Sequence, residues 1–360
     1  MSRHSVIWLQ ERLSGARSRC EHVEEGTVDI RVGVIGAGGI GSDHIRRLRA
    51  ILSGVEIVAI ADPDAKRVAA AVRGLDATIE ASGEALIAND RVDAVVVTSP
   101  GFTHADLVTT CLAIGKPVFC EKPLAITAHD AWRVVQAEVA TGRRLVQVGF
   151  MRRYDASYQA LKSVLDAGTI GQVLLIHAAH RNPDVPEWWT TELTIKDSSV
   201  HDADIVRFLT GEEIIASTVL RPRSSSRLAG VQDPLIIVFE TSSGILVDVE
   251  LSVNIAYGYD IRAEVVGETG TAALGDGGLV TLKHAALRST DLPTDWRQRF
   301  TLAYDRELQD WIDATRAGEA TGPSSWDGFV ATSVAEASYA SHRDGTRTEV
   351  VLPERPAIYR

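Results

Sequence analysis

Residues 30–41 have the sequence Ile30-Arg31-Val32-Gly33-Val34-Ile35-Gly36-Ala37-Gly38-Gly39-Ile40-Gly41, and residues 40–52 have a helical pattern. The apolar first half of this segment predicts a buried strand that runs directly into a G-x-G-x-x-G turn. A dinucleotide site needs this order, because Gly36 allows a tight turn, Gly38 lets the backbone approach a pyrophosphate, and Gly41 lets the helix pack on the strand. Free N–H groups at the start of the helix would then bind the phosphates.

A second apolar stretch, Val55 to Ala61, predicts the next strand, and Asp62 follows it directly. Asp62 lies about 20 positions after Gly41, the spacing at which a carboxylate accepts hydrogen bonds from the adenosine ribose and repels a 2′-phosphate. We therefore expect NAD as the cofactor, in preference to NADP. The alternative that these residues leave open is a glycine-rich turn followed by an aspartate that caps a helix.

Strands and helices continue to alternate after Asp62. Helices are predicted over residues 64–73, 104–114 and 127–140, and strands over 92–98, 117–120 and 145–148. This alternation predicts a parallel sheet with helices on both faces, that is, an α/β Rossmann domain over residues 29–149. Lys122, in the sequence Glu121-Lys122-Pro123, falls at the carboxyl edge of that sheet, where such folds bind ligands. Taken alone, a lysine in such a turn is usually solvated.

The second half of the chain, residues 150–360, has a different pattern. Apolar and polar residues alternate from Val247 to Asn254, which is the period of a strand with one buried face. Further strands are predicted over 173–180 and 349–352, helices over 198–209, 300–317 and 326–342, and a surface loop over 221–233. We therefore expect an α+β domain with a large, mostly antiparallel open sheet. Its last segments are candidates for packing back on the first domain.

Composition narrows the classes of function. The 360 residues are 45% hydrophobic and 24% charged, with a net charge of -11, which argues against a protein that binds nucleic acid by neutralising phosphates. No apolar run approaches the roughly 20 residues needed to span a bilayer. The three cysteines form no metal motif and are too few for a disulfide framework, so we expect a cytoplasmic protein without a bound metal. Residues 1–28 mix Arg and Glu without an apolar core and predict a loosely ordered extension.

Three segments together identify a family resemblance: the glycine-rich turn, Glu121-Lys122-Pro123, and Asp197-Ser198-Ser199-Val200-His201. With them the chain resembles the Gfo/Idh/MocA oxidoreductases over nearly all residues after the extension. Within that family, 145–155, 179–183 and 257–260 resemble the myo-inositol 2-dehydrogenases. The resemblance implies NAD-dependent oxidation of a secondary hydroxyl of a cyclic polyol, myo-inositol to 2-keto-myo-inositol, by a homo-oligomer, either tetramer or dimer.

The resemblance also implies roles for individual residues. His201 corresponds to the family's acid/base; Asp197 precedes it by four positions and would orient its ring if the segment is helical. Lys122 would hydrogen-bond the reacting oxygen and favour its alkoxide character. Substrate contacts are further implied for Arg152, His180, Asn182, Ser198 and Tyr259. Cofactor contacts are implied for Gly36, Gly38, Gly39, Ile40, Gly41, Asp62, Thr98, Ser99, Pro100, His104, Glu121 and Lys122.

Two departures from the family pattern bear on the substrate. Trp188-Trp189 stands where inositol dehydrogenases tend to have smaller or tyrosine-containing sequence, and Gly101 follows Pro100 where many relatives have asparagine. The tryptophan pair favours an alternative, a dehydrogenase for scyllo-inositol, glucose or another pyranose. A second alternative is a non-catalytic sensor that binds a dinucleotide, but a sensor would have no need of Lys122 together with Asp197 and His201.

Overall fold

The computed structural model describes residues 29–275 and 281–360. The predicted extension, residues 1–28, lies outside the described residues. Two domains are present, and the helices near the carboxyl end of the chain connect them.

The first domain is the predicted doubly wound α/β domain. Its six parallel strands lie in the order β3-β2-β1-β4-β5-β6. Both β4 and β5 are buried along their whole length, as strands covered by helices on two faces should be. The elements are β1 Ile30–Ile35, α1 Gly39–Ala50, β2 Val55–Ala61, α2 Ala65–Ala71, β3 Thr78–Ile79, α3 Gly83–Ala88, β4 Ala94–Val97, α4 His104–Ala113, β5 Val118–Glu121, α5 Ala128–Thr141 and β6 Val146–Gly149.

The second domain is built on a seven-stranded sheet in the order β12-β11-β7-β10-β9-β8-β15. Neighbouring strands are antiparallel, as predicted, except that β7 and β10 run parallel. The elements are α6 Ala156–Asp166, β7 Val173–Arg181, α7 Thr191–Leu193, α8 Val200–Thr210, β8 Ile214–Leu220, β9 Leu235–Thr241, β10 Leu246–Ser252, β11 Asp260–Gly267, β12 Thr271–Ala273, β13 Thr281–His284, β14 Leu287–Thr290, α9 Trp296–Ala317, α10 Ser325–Asp344 and β15 Thr348–Glu349.

Helix α9 packs on the first domain although it follows the second sheet in sequence. Its Leu308, Trp311 and Ile312 belong to one buried cluster with the side chains of β1 and β2. Arg47 of α1, which is buried, donates to the carboxylate of Asp305 and to the carbonyl oxygen of Thr301 at 2.7 Å. These contacts hold α9 against α1 just after a kink at Phe300. Among the described helices, none is long and apolar enough to cross a membrane.

Candidate active site

A cleft of about 1270 Å³ lies between the two domains. It brings together predicted residues from both halves of the chain, which are far apart in sequence. From the first domain it is lined by Ile40, Ser99, Pro100, His104, Glu121 and Lys122, and from the second by His180, Asn182, Asp197, Ser198, His201 and Tyr259. In the described part of the chain, no group of three or more His, Cys, Asp or Glu side chains is placed to hold a metal.

The glycine-rich turn has the geometry that a dinucleotide requires. Gly36 has φ +99°, a conformation that L side chains rarely adopt, and a Cβ on Gly41 would lie 2.1 Å from the carbonyl oxygen of Gly36. A Cβ on Gly38, in contrast, would meet no atom within 4 Å. The first turn of α1 contains no acidic residue, and no side chain caps its N–H groups. A pyrophosphate therefore fits in the open space at Gly38, against the positive end of α1.

Two residues expected at the cofactor hold the turn itself. Asp62, at the end of β2, accepts a hydrogen bond from the backbone N–H of Ala37 at 2.7 Å, which places its carboxylate beside the glycine turn. Thr98 does not line the cleft; it is buried, and its hydroxyl donates to the carbonyl oxygen of Gly36 at 2.7 Å. This bond ties β4 to the turn, and a contact between Thr98 and the cofactor stays a prediction.

Lys122 extends from the end of β5 into the cleft. Its Nζ donates to Asp197 Oδ2 at 3.0 Å, which joins the two domains, and its side chain is 20% exposed. The neighbouring Glu121 is buried and accepts a hydrogen bond from His44 Nε2 at 2.7 Å. His44 was not predicted as a site residue, because a single histidine on the inner face of a helix is usually part of the core.

The expected pairing of Asp197 with His201 is wrong. The segment Thr194–Ser198 forms a π-helical turn, and α8 begins only at Val200, so the two residues do not lie on one continuous α-helix. The Asp197 carboxylate bonds Lys122 instead, and His201 Nδ1 is buried without a hydrogen-bond partner. Asp197 therefore positions the lysine and not the histidine.

His201 reaches the cleft through its other ring nitrogen, Nε2. The residue is 8% exposed, and its ring lies edge-on to Phe150 with the centroids 6.2 Å apart. Burial, together with the positive charges of Lys122 and Arg152, lowers the pKa of His201 well below its usual range. The imidazole is consequently neutral near pH 7, which is the form that can accept a proton.

A different carboxylate–histidine pair lies beside His201. His180 Nδ1–H donates to Asp202 Oδ2 at 2.7 Å, and Arg152 Nη1 donates to Asp202 Oδ1 at 2.6 Å. Although burial alone would raise the pKa of Asp202, His180 and Arg152 hold it below its usual value. Arg152 is buried and does not line the cleft, so in this structure it supports Asp202, and its contact with a substrate stays a prediction.

This pair determines how His180 can bind a ligand. Because Nδ1 carries the proton that Asp202 accepts, the neutral ring presents Nε2 to the cleft as a hydrogen-bond acceptor. Burial lowers the pKa of His180, which favours that neutral ring. Asp202 was not a predicted site residue, and its only sequence signal was its position next to His201.

Aromatic and apolar side chains surround the entrance of the cleft. Trp188 is 68% exposed and lies 5.7 Å from Trp189 between ring centroids. Phe102, also 68% exposed, and Ile126 line the same cleft from the first domain. The tryptophan pair that departs from the family pattern therefore lies at the mouth of the cleft and not in the core.

Comparison with known proteins finds similar chains. The inositol 2-dehydrogenase of Burkholderia ambifaria (strain MC40-6) is 50% identical over 334 residues, which are 92% of this chain and 99% of that protein. Inositol 2-dehydrogenase 3 of Saccharopolyspora erythraea is 49% identical over 331 residues, 92% of this chain and 98% of that protein. The crystal structure of myo-inositol dehydrogenase from Lactobacillus casei, in complex with NAD(H) and myo-inositol, has 37% identity and a TM-score of 0.90 and covers 92% of this chain and 100% of that chain.

Two family models match in succession. Residues 30–150 match the NAD-binding Rossmann fold of an oxidoreductase family, and residues 162–350 match its C-terminal α/β domain. The chain therefore belongs to the Gfo/Idh/MocA oxidoreductase family.

Proposed function

We propose that this chain is an NAD-dependent dehydrogenase that oxidises the C2 hydroxyl of myo-inositol to a ketone. The observation that carries the proposal is the meeting of Lys122, from the nucleotide-binding domain, with Asp197 and His201, from the second domain, in one cleft. The names of its relatives at about 50% identity support inositol as the substrate.

Each of these residues has a separate role in the oxidation of an alcohol. NAD, when bound, supplies the acceptor for the hydride that leaves the carbon. His201 Nε2 takes the hydroxyl proton, since its depressed pKa keeps the imidazole neutral. The Lys122 ammonium donates to the same oxygen and stabilises the negative charge that develops as the proton leaves. Asp197 holds the ammonium in place through the 3.0 Å bond.

The remaining polar groups suit a ring with a hydroxyl on every carbon. His180 Nε2 accepts from one hydroxyl, while Asn182 and Tyr259 line the cleft with groups that can both donate and accept. A site that satisfies several hydroxyls rejects analogues that lack one of them, because a buried polar group would then remain unpaired.

A panel of polyols tests the proposal. With NAD, the kcat/KM for myo-inositol should be at least about tenfold higher than the kcat/KM for scyllo-inositol or glucose. Either analogue would lose hydrogen bonds to one or two hydroxyls, and such a loss lowers kcat/KM by at least this factor. NADP should be a poorer cofactor, because the Asp62 carboxylate repels a 2′-phosphate. If NADH binds but no member of the panel is oxidised, the sensor alternative is favoured and the proposal fails.

Trp188 supports a second candidate substrate, a pyranose or a substituted cyclitol. Its exposed ring at the mouth of the cleft offers an apolar face on which the C–H groups of a larger substrate could pack. This candidate would be favoured if glucose, or an O-methylated inositol added to the panel, had a higher kcat/KM than myo-inositol.

A further inference from the structure

Arg297 lies beside the dinucleotide turn although it belongs to α9. Its Nη2 is 3.2 Å from the point that a Cβ on Gly39 would occupy, and Gly39 is the first residue of α1. Arg297 also lines the cleft, together with Trp296 and Asp295. None of these three residues was predicted as a site residue, because nothing in the sequence relates them to residues 36–41.

The position of Arg297 is fixed by the packing of its helix. Arg47 of α1 bonds Thr301 and Asp305, which follow a kink at Phe300. Before the kink, Arg299 donates to Asp155 Oδ2 at 2.6 Å, so the first turn of α9 is anchored as well. The guanidinium carbon of Arg297 lies 4.3 Å from the ring centroid of Trp296. Such stacking holds the planar group in one orientation and reduces the entropy lost when it binds a ligand.

Two positive groups meet beside Gly39. The N-terminus of α1 is a positive helix end with no acidic residue in its first turn, and the guanidinium adds a second positive group beside it. Asp295 offsets part of this charge: its Oδ2 accepts from Arg297 Nη1 at 3.2 Å, while its Oδ1 caps α9 by accepting from the N–H of Gln298 at 3.0 Å. Arg297 Nη2 remains directed at Gly39, where the open space beside Gly38 would hold a pyrophosphate.

We propose that Arg297 binds the pyrophosphate of NAD from the side opposite to the glycine turn. The guanidinium has the fork of N–H donors that suits phosphate oxygens, and charge-assisted hydrogen bonds of this kind are stronger than neutral ones. Cofactor binding is therefore shared between the Rossmann domain and the helix that follows the second sheet. The inference depends on the NAD site and not on the identity of the polyol.

Competition of ADP and of adenosine with bound NADH, followed by NADH fluorescence, tests this role without any turnover. Arg297→Ala should weaken ADP and NADH about tenfold and leave adenosine within about twofold, because only the first two carry the pyrophosphate. Arg297→Lys, which keeps the charge but not the fork, should fall between wild type and alanine. The matched control is Arg306→Ala, an exposed arginine of the same helix that does not line the cleft.

These binding measurements distinguish failure of the Arg297 inference from failure of the proposed function. Unchanged ADP affinity in Arg297→Ala, with an unaltered melting temperature, would overturn the inference even if myo-inositol is oxidised normally. Equal weakening of ADP and adenosine would also overturn it, since that result indicates a general disturbance of the site. If no polyol is oxidised but ADP binding depends on Arg297 as described, the inference stands and the proposed substrate does not.

Discussion

Lys122→Ala is expected to lower kcat with myo-inositol by about 1000-fold, the upper range for loss of one group that stabilises a developing oxyanion. NADH affinity should change by no more than about twofold, because the pyrophosphate contacts lie at the glycine turn and at Arg297 and not at Lys122. The fold should survive, since Lys122 is 20% exposed and its partner Asp197 is 33% exposed, so the unpaired carboxylate can be solvated. Steady-state kinetics and NADH fluorescence titration measure the two effects separately.

Lys66→Ala is the matched control for this variant, because Lys66 is an exposed lysine on α2, away from the cleft. Its kinetics should equal those of the wild type. A Lys122→Ala enzyme that retains more than about a tenth of the wild-type kcat would show that the ammonium does not stabilise the reacting oxygen.

His201→Ala is expected to lower kcat/KM by about 100-fold to 10,000-fold, the contribution usual for a positioned general base. The pH profile of the wild type gives a second measure of the same group. Only the neutral imidazole accepts a proton, so activity should fall as the pH drops through the pKa of His201. Burial and the nearby positive charges place that pKa below 6.5, so the acid limb should begin below pH 6.5.

The control for this substitution is His129→Ala, a histidine whose side chain is 88% exposed on α5. It should leave both the rate and the pH profile unchanged. An acid limb that is centred above pH 7, or that persists in His201→Ala, would assign the titration to another group and remove His201 from the role of base.

Local sequence predicted most elements of the first domain, because each depends on its own residues, but it missed the short β3 and α3. The bounds of β1 and β2 are those predicted, and the steric roles of Gly36 and Gly41 follow from backbone geometry that any such turn shares. The second sheet was predicted as mostly antiparallel from strand periods and turns. Its single parallel pair, β7 with β10, was not, because strands separated by about 65 residues give no local signal of their pairing.

Several predicted site residues meet in one cleft, whereas their hydrogen-bond partners were not predicted. Lys122, His180 and His201 line one cleft, as the resemblance implied. The partner of each charged group was not predictable from spacing, because Asp197 lies in a π-helical turn and His201 lies in the following helix α8. The buried chain from Arg152 through Asp202 to His180 involves three separate elements, and only their packing brings these side chains together.

The transfer of deuterium from myo-inositol labelled at C2 to NAD tests the central claim most directly. The wild-type enzyme should produce NADH with deuterium at the nicotinamide C4, together with the 2-ketone, and Lys122→Ala should form the same products about 1000-fold more slowly. NADH that contains no deuterium, or a ketone at another ring carbon, would contradict the account.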